Sequence, residues 1–137
     1  MKQKTFVIPG EPQGKARPRF TKGHTYTPRD TVEYERLARL CYQGQSFGNV
    51  PVGVDILAVF GIPKSTSKRQ RERMLCGAVL PTKKPDADNI TKIICDALNG
   101  VAYDDDKQIA EVRIRKVYGP VPQVQVTLWA LEDHPDG

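Results

Sequence analysis

The sequence predicts a small α+β domain, in which a mixed or antiparallel sheet is packed with helices. Two periodicities carry this prediction. Apolar and polar residues alternate in several short segments, as in half-buried strands, whereas apolar residues recur every three or four positions in three other segments, as in amphipathic helices. The predicted order is β, α, β, α, α, β, β. A hydrophobic content of 39% with 27% charged residues is typical of a globular chain, and 137 residues suit a single domain over residues 1–137.

The first half of the chain supplies a strand, a basic loop, a helix and the longest apolar run. Residues 4–8 alternate as a first strand does. Residues 10–29, rich in Gly, Pro, Lys and Arg, predict an exposed loop without regular structure. Residues 31–43 predict an amphipathic helix with Asp30 as its cap. Residues 52–62 are apolar on both faces, which predicts either a central strand covered on both sides or a strand at a dimer contact.

The second half supplies two helices and two strands. Residues 65–75 predict a short, strongly charged helix, and the next helix is predicted to begin with Asp88 as its N-cap. Residues 108–118 predict a half-buried strand with a basic outer face. Residues 123–131 predict a final antiparallel strand, and residues 132–137 a frayed end.

Two acidic clusters flank the second of these helices. Asp86 and Asp88 stand at its start, and the run Asp104–Asp106 follows it after a short turn. Carboxylates a few ångströms apart repel, and a hard cation such as Mg²⁺, with Mn²⁺ as a substitute, removes the conflict. Such an ion assists the attack of water on phosphorus. We therefore expect a metal site, provided that the following strand brings the second cluster back to the first.

Other interpretations of the same residues fit less well. A solvated acidic turn with an ordinary N-cap accounts for any single Asp, but two acidic clusters in a basic chain favour the metal site. A calcium loop counted from Asp86 has Ile90 and Thr91 where the pattern needs an oxygen ligand and Gly. Zinc is disfavoured because the two His and three Cys lack finger-like spacing. The Cys, odd in number and widely spaced, predict reduced thiols of an intracellular protein.

The formal net charge of +5 is unevenly distributed. Residues 1–29 hold seven Lys/Arg and one acid, residues 64–84 again hold seven and one, and residues 86–111 hold seven acids and two Lys. A basic frame around an acidic centre suits a nucleic acid. Phe20 or Tyr26 would stack on bases, unless Phe20 is tucked into the core. The candidate nucleic-acid-binding residues are Lys15, Arg17, Arg19, Lys22, Arg69, Arg71, Arg73, Lys83 and Lys84.

Nothing in the sequence predicts a membrane protein. No apolar run approaches the roughly 18 residues that span a bilayer, and the first residues lack a signal-peptide core. We therefore expect a cytoplasmic protein that does not bind membranes.

One motif carries a family resemblance. It reads Asp86-x-Asp88-Asn89-x-x-Lys92-x-x-x-Asp96-x-Leu98, followed by Asp105-Asp106-x-Gln108. This pattern, specific over residues 84–118, resembles that of the RusA family of Holliday-junction resolvases, and the basic loop from Gly14 to Arg19 is similar to one in a subgroup of that family. The resemblance implies a RusA-like homodimer that uses Mg²⁺ to nick four-way DNA junctions symmetrically, in DNA recombination and repair.

The resemblance also implies roles for individual residues. The metal-binding catalytic carboxylates would be Asp86, Asp88 and Asp106, with Asp105 as a further metal neighbour. Lys92 would be the essential lysine, which orients the attacking water or neutralises charge on phosphorus. The chain has a third acid, Asp104, where the family often has an apolar residue, so the pair of this run that binds metal is left open.

Three other functions are compatible with the residues. A less selective nuclease would cut flaps or other branched DNA as well as four-way junctions. A non-catalytic module would bind branched DNA through its basic loops, with acids that are only structural. An interaction protein would use the same basic surface to bind an acidic partner.

Overall fold

The computed structural model describes residues 3–16, 19–26 and 28–131. The mixed α+β prediction is confirmed, and the predicted order of elements is found with one short hairpin added. The predicted frayed end at 132–137 lies outside the described residues. The strands are β1 (Gln3–Pro9), β2 (Arg19–Thr21), β3 (His24–Tyr26), β4 (Val52–Gly61), β5 (Ile109–Gly119) and β6 (Gln123–Ala130), and the helices are α1 (Arg29–Tyr42), α2 (Lys68–Leu75) and α3 (Ala87–Ala97).

Four strands form one mixed sheet in the order β1-β6-β4-β5. β6 is antiparallel to both β1 and β4, whereas β4 and β5 are parallel. The final strand is therefore antiparallel as predicted, but the strand that precedes it in the chain lies on the far side of β4. Parallel neighbours need a long crossover connection, and the segment between β4 and β5 contains both α2 and α3.

One face of the sheet packs against α1 and α3 and forms the core. On α3 the predicted apolar face is confirmed, because Ile90, Ile93 and Ile94 are fully buried. Burying a side chain of this size stabilises the fold by roughly 1.5–3 kcal/mol, so the helix between the two acidic clusters is firmly held. The buried residues of the sheet are Phe6, Ile8, Val52, Val54, Ile56, Ala58, Phe60, Val124, Val126 and Leu128.

The central position predicted for the apolar strand is confirmed, since β4 lies between β6 and β5. Its second face is also largely covered. Val59 is buried there and Leu57 is half-buried. Gly53 lies beneath the indole ring of Trp129, where an added Cβ would be 2.2 Å from Cε2 of that ring. A dimer contact on this face stays a prediction.

Two predicted helix caps are wrong, because both helices begin earlier than the sequence indicated. The N-cap of α1 is Pro28, whose carbonyl oxygen accepts from the N–H groups of Thr31 and Val32, so Asp30 lies in the first turn instead. The N-cap of α3 is Asp86, which leaves Asp88 in the first turn. Pro28 has the extended backbone that an N-cap requires, although it offers no side chain that could accept a hydrogen bond. Asp86 and Asp88 are both of a residue type that the N-cap position favours, so the sequence does not decide between them.

The loop predicted over residues 10–29 contains the hairpin formed by β2 and β3, so this prediction is wrong for residues 19–26. Lys22 and Gly23 have φ values of 52° and 80°, the left-handed pair of values that matches the twist of a hairpin. Left-handed conformations are uncommon for Lys, which is why the sequence did not indicate this turn. Phe20 is 71% exposed, so the alternative in which it is tucked into the core is wrong.

In the described part of the chain, no helix is long and apolar enough to cross a membrane.

Candidate active site

The first acidic cluster stands at the N-terminal end of α3. Asp86 has the extended backbone of an N-cap, but its side chain makes no capping hydrogen bond, so both carboxylate oxygens are available to another partner. Asp88 is exposed in the first turn.

A tight reversal after α3 brings the second acidic cluster back along the helix. The buried hydroxyl of Tyr103 donates to the backbone oxygen of Cys95 at 2.6 Å, which fixes the turn to the last part of the helix. The N–H of Gly100 donates to the backbone oxygen of Tyr103 at 2.9 Å. The N–H of Asp106 then donates to Oδ1 of Asn99 at 3.1 Å. Asp106 therefore begins the next element beside the C-terminal half of α3.

A capping box fixes the second cluster at the start of β5. Oδ1 of Asp105 accepts from the N–H of Lys107 at 2.9 Å, and the N–H of Asp105 donates to Oε1 of Gln108 at 2.9 Å. The Nε2 group of Gln108 also donates to the backbone oxygens of Gly48 at 2.6 Å and Val50 at 2.9 Å. The turn is thereby tied to the segment before β4, and Asp105 has one oxygen already engaged.

The two neighbouring acids of this turn differ in their pKa values. The backbone N–H of Lys107 lowers the pKa of Asp105, and Asp106 contributes in the same direction. Partial loss of hydration raises the pKa of Asp106, and the charges of Asp105 and Asp96 raise it further, while Lys92 acts in the opposite direction. Asp106 is thus a carboxylate whose negative charge is opposed by its surroundings and which a cation would stabilise.

Lys92 lies in the middle of α3, between the two clusters. Its Nζ is 3.6 Å from Oδ2 of Asp96, four residues further along the helix, and its side chain is 62% exposed. Its charge also acts on Asp106. Lys92 therefore faces solvent on the side of α3 that also carries Asp96.

Lys15 joins the basic loop to both helices. Its Nζ lies 2.6 Å from Oε2 of Glu35 on α1 and 3.2 Å from Oδ2 of Asp96 on α3, with only 21% of its side chain exposed. Burial alone would lower the pKa of Lys15, but its hydrogen bonds to the two carboxylates outweigh burial and raise it. Asp96 thus shares one oxygen between Lys15 and Lys92. A contact of Lys15 with DNA stays a prediction, whereas its pairing with the two acids is observed.

A polar cleft of about 460 Å³ opens beside the first cluster. The basic loop forms one of its walls, and it approaches α3 so closely that a Cβ on Gly14 would lie 2.9 Å from Cβ of Pro85. The backbone N–H of Lys15 donates to the oxygen of Asn89 at 3.1 Å. The cleft is lined by Gly14, Lys15, Lys84, Pro85, Asp86 and Asn89.

The segment that leads into α3 is held to the sheet by Lys116. Its Nζ donates to the backbone oxygen of Lys83 at 2.7 Å and lies 5.2 Å from the ring centroid of Phe60. Nζ of Lys83 is in turn 5.8 Å from the centroid of Phe60 and 6.0 Å from that of Tyr118. Cations above aromatic rings contribute roughly 0.5–1 kcal/mol at exposed sites, so these contacts fix the direction from which the chain reaches Asp86.

The structure does not gather the predicted metal ligands into one group. Within residues 3–16, 19–26 and 28–131, which include every acid of both clusters, no three His, Cys, Asp or Glu side chains are arranged to hold one ion. Asp106 of the second cluster is influenced by the charges of Asp96 and Lys92 in the C-terminal half of α3, and Asp86 is not among the groups that shift its pKa. The oxygen donors suit a hard cation such as Mg²⁺, but they are not preassembled. Metal ligation by Asp86, Asp88, Asp105 and Asp106 stays a prediction.

The remaining basic candidates lie on the surface or outside the described residues. Arg17 and the side chain of Arg19 lie outside them, as does the side chain of Tyr26. Those on the surface stay predicted contacts for nucleic acid. The exposed ones are Lys22, Arg69, Arg73, Lys83 and Lys84, and Arg71 is half-buried.

Sequence reasoning missed the residues that position the site. Asn99 and Tyr103 fix the reversal, Gln108 fixes the acidic turn, and Lys116 fixes the segment before α3. Gln108 stands in the recognised motif but had no assigned role. The roles of the others depend on partners 7 to 33 positions away in the chain, so no local pattern indicated them.

Comparison with known proteins identifies the family of the chain. Residues 9–129 match the family described as Endodeoxyribonuclease RusA. The chain belongs to the RusA family. The resemblance inferred from the acidic motif is thereby confirmed, and the chain is a nuclease of the endodeoxyribonuclease class. It is also 32% identical over 132 residues to YqaN of Bacillus subtilis (strain 168), described as an uncharacterized protein, with 90% of this chain and 93% of that protein covered.

We predict that Lys15→Met lowers the free energy of unfolding by about 1–3 kcal/mol, because it leaves Glu35 and Asp96 without their shared cation. The expected loss is smaller than that for a fully buried ion pair, since all three side chains retain some exposure to solvent. Urea denaturation measures the change. The matched control is Arg29→Met, which removes an exposed ion pair with Glu33 and should cost less than about 0.5 kcal/mol. Equal losses in both variants would show that Lys15 is an ordinary surface residue.

We predict that Asp106→Asn raises the free energy of unfolding of the metal-free chain at pH 7. The pKa of Asp106 is raised in the folded state, so its ionisation at neutral pH favours the unfolded chain, and a neutral amide removes this loss. The gain should vanish as the pH falls below about 4, where the unfolded carboxyl also binds a proton.

Urea denaturation in EDTA across this pH range measures the effect, with the exposed Asp104→Asn of the same run as control. A variant less stable than the wild type at pH 7 would contradict the opposed charge of Asp106, as would a gain that persists unchanged at acidic pH.

Proposed function

We propose that this RusA-family nuclease resolves four-way DNA junctions by paired nicks, in a reaction that depends on a divalent metal ion. One observation carries the proposal: the reversal after α3 returns Asp106 to the flank of the same helix that bears Asp86, Asp88 and Lys92. The family match over residues 9–129 and the basic segments on either side of the acidic centre support it.

Mg²⁺, or Mn²⁺ in its place, would be held by Asp86, Asp88 and Asp106, with Asp105 beside them. When bound, such an ion supplies the positive charge that stabilises the attacking and leaving oxygens at phosphorus. The exposed carboxylates and the opposed charge of Asp106 suit this role. Because the ligands are not preassembled, we infer that the phosphate and the ion together draw the two clusters into one site.

Lys92 and Lys15 would each neutralise negative charge, Lys92 on the phosphate and Lys15 on Asp96. The exposed ammonium of Lys92 is available to a phosphate oxygen, where it stabilises negative charge that increases in the transition state. Lys15 neutralises Asp96 from the other side, so that Lys92 is not committed to that carboxylate alone. In this account Lys15 is a positioning residue and Lys92 a catalytic one.

We further propose that two copies of the chain act on one junction. A four-way junction presents paired strands for cleavage, and a two-fold dimer matches that symmetry. The second face of β4, where Leu57 and the indole ring of Trp129 are only half-buried, is the surface that we assign to the contact. Sedimentation that finds a monomer while paired cleavage is intact would refute the dimer. The three cysteines are free thiols, which suits activity in the reducing cytoplasm.

We predict that Asp86→Asn, Asp88→Asn and Asp106→Asn each reduce cleavage of a synthetic four-way junction in Mg²⁺ by roughly 100- to 1,000-fold, the loss expected when one charge-stabilising group leaves an active site. Binding of the same DNA in EDTA should be retained, because the basic segments are unchanged. Gel-resolved cleavage rates and fluorescence anisotropy measure the two quantities.

Asp104→Asn is the matched control for this experiment, since it removes an exposed acid of the same run and should leave the cleavage rate unchanged. Wild-type rates in all three test variants would end this account of the site. Equal cleavage of junctions, flaps and linear duplexes by the wild type would retain the nuclease and reject junction selectivity.

A second function is a module that binds branched DNA without cutting it. The absence of a preformed group of three metal-binding side chains in the described residues favours this alternative. Its signature would be tight junction binding, no cleavage with Mg²⁺ or Mn²⁺, and no change in binding on the three Asp→Asn substitutions.

A further inference from the structure

The hairpin of β2 and β3 presents an aromatic side chain to solvent. Phe20 is paired with Thr25 across the ladder and is 71% exposed. Thr21, Lys22 and His24 beside it are also exposed. An exposed Phe forgoes the roughly 1.5–3 kcal/mol that burial of such a side chain supplies, so the exposure of Phe20 indicates that a partner covers it.

The segment that precedes the hairpin in the chain is held against the candidate active site. It is hydrogen-bonded to both helices, from the N–H of Lys15 to the oxygen of Asn89 and from the N–H of Ala16 to Oγ1 of the buried Thr31. Lys15 also lines the cleft beside Asp86. A molecule bound along this cleft would therefore contact the segment that is followed in the chain by the hairpin.

The charge around Phe20 indicates what covers it. Residues 12–29 contain five Lys/Arg and no acid, which disfavours a basic partner and favours one rich in phosphate. Aromatic side chains stack on nucleic-acid bases, and the stacking does not require a particular base. Inside a duplex both faces of a base are already stacked, whereas a branch point exposes the faces of the bases at which the helices separate.

We propose that Phe20 stacks on the exposed face of a base at the branch point of the DNA, with Lys22 at the tip of the hairpin against a neighbouring phosphate. This inference rests on the proposed function and adds the feature that distinguishes a branch from a continuous duplex. The metal site cuts the backbone, and the hairpin recognises where the helices part.

The test compares Phe20→Ala, Phe20→Trp and Phe20→Leu in the full chain. Binding is measured in EDTA on a four-way junction that carries 2-aminopurine at the branch point, and on a linear duplex of the same sequence. Phe20→Ala should raise the Kd for the junction by roughly 5- to 150-fold, the range that corresponds to one lost stacking contact, with the duplex Kd unchanged. Phe20→Trp should bind as the wild type does, and Phe20→Leu should resemble Phe20→Ala.

The wild type and Phe20→Trp should also change the 2-aminopurine fluorescence on binding, and Phe20→Ala should not. The matched control is Leu40→Ala, which removes a 64% exposed apolar side chain from α1 and should alter neither Kd. Full function of Phe20→Leu would show that apolar contact suffices and would overturn stacking. An equal loss of affinity for junction and duplex in Phe20→Ala would overturn recognition of the branch.

Failure of this inference is distinct from failure of the proposed function. If the wild type prefers the junction and Phe20→Ala retains the same preference, only the role of the hairpin is wrong. If the wild type binds junction and duplex alike, both the proposed junction selectivity and the role of Phe20 are contradicted.

Discussion

The reversal between α3 and β5 is the constraint on which the site depends. The eleven residues of α3, a length of about 16 Å, lie between Asp86 at the start of the helix and the turn that carries Asp106. The bonds from Tyr103 to Cys95 and from Asp106 to Asn99 turn the chain back, and Gln108 ties the returning turn to the segment before β4. These contacts bring Asp106 beside the C-terminal half of α3, where the charges of Asp96 and Lys92 act on it.

The two faces of α3 differ in what they contribute to stability. The core is well packed, with the apolar face of α3 fully buried, while the opposite face of that helix collects carboxylates. Lys15 and Lys92 share Asp96, yet Asp106 retains neighbours that raise its pKa. Asp106 lies in the turn beside this well-held helix, and a cation would offset the charges that raise its pKa.

Much of the fold could be predicted because it depends on local periodicity. The apolar face of α3 and the central position of β4 follow directly from spacing and from apolar residues on both faces. The hairpin could not be predicted as well, since Lys22 adopts an uncommon left-handed conformation. The helix caps could not be predicted either, because neighbouring residues of the chain suit the N-cap position similarly. The acids themselves were evident from the motif, but their relative positions depend on Tyr103, Asn99 and Lys15, whose partners are distant in sequence. The predicted meeting of Asp106 with Asp86 was an inference about tertiary structure, which spacing alone does not determine.

The central claim is that one divalent ion is shared between the start of α3 and the turn before β5. Calorimetric titration of Mn²⁺ into the metal-free wild type, Asp86→Asn, Asp106→Asn and the double variant tests it most directly. A shared ion predicts one binding event that either single substitution abolishes, with no further loss in the double variant. Two separate partial losses that add in the double variant would contradict a shared ion, as would Mn²⁺ binding that neither substitution changes.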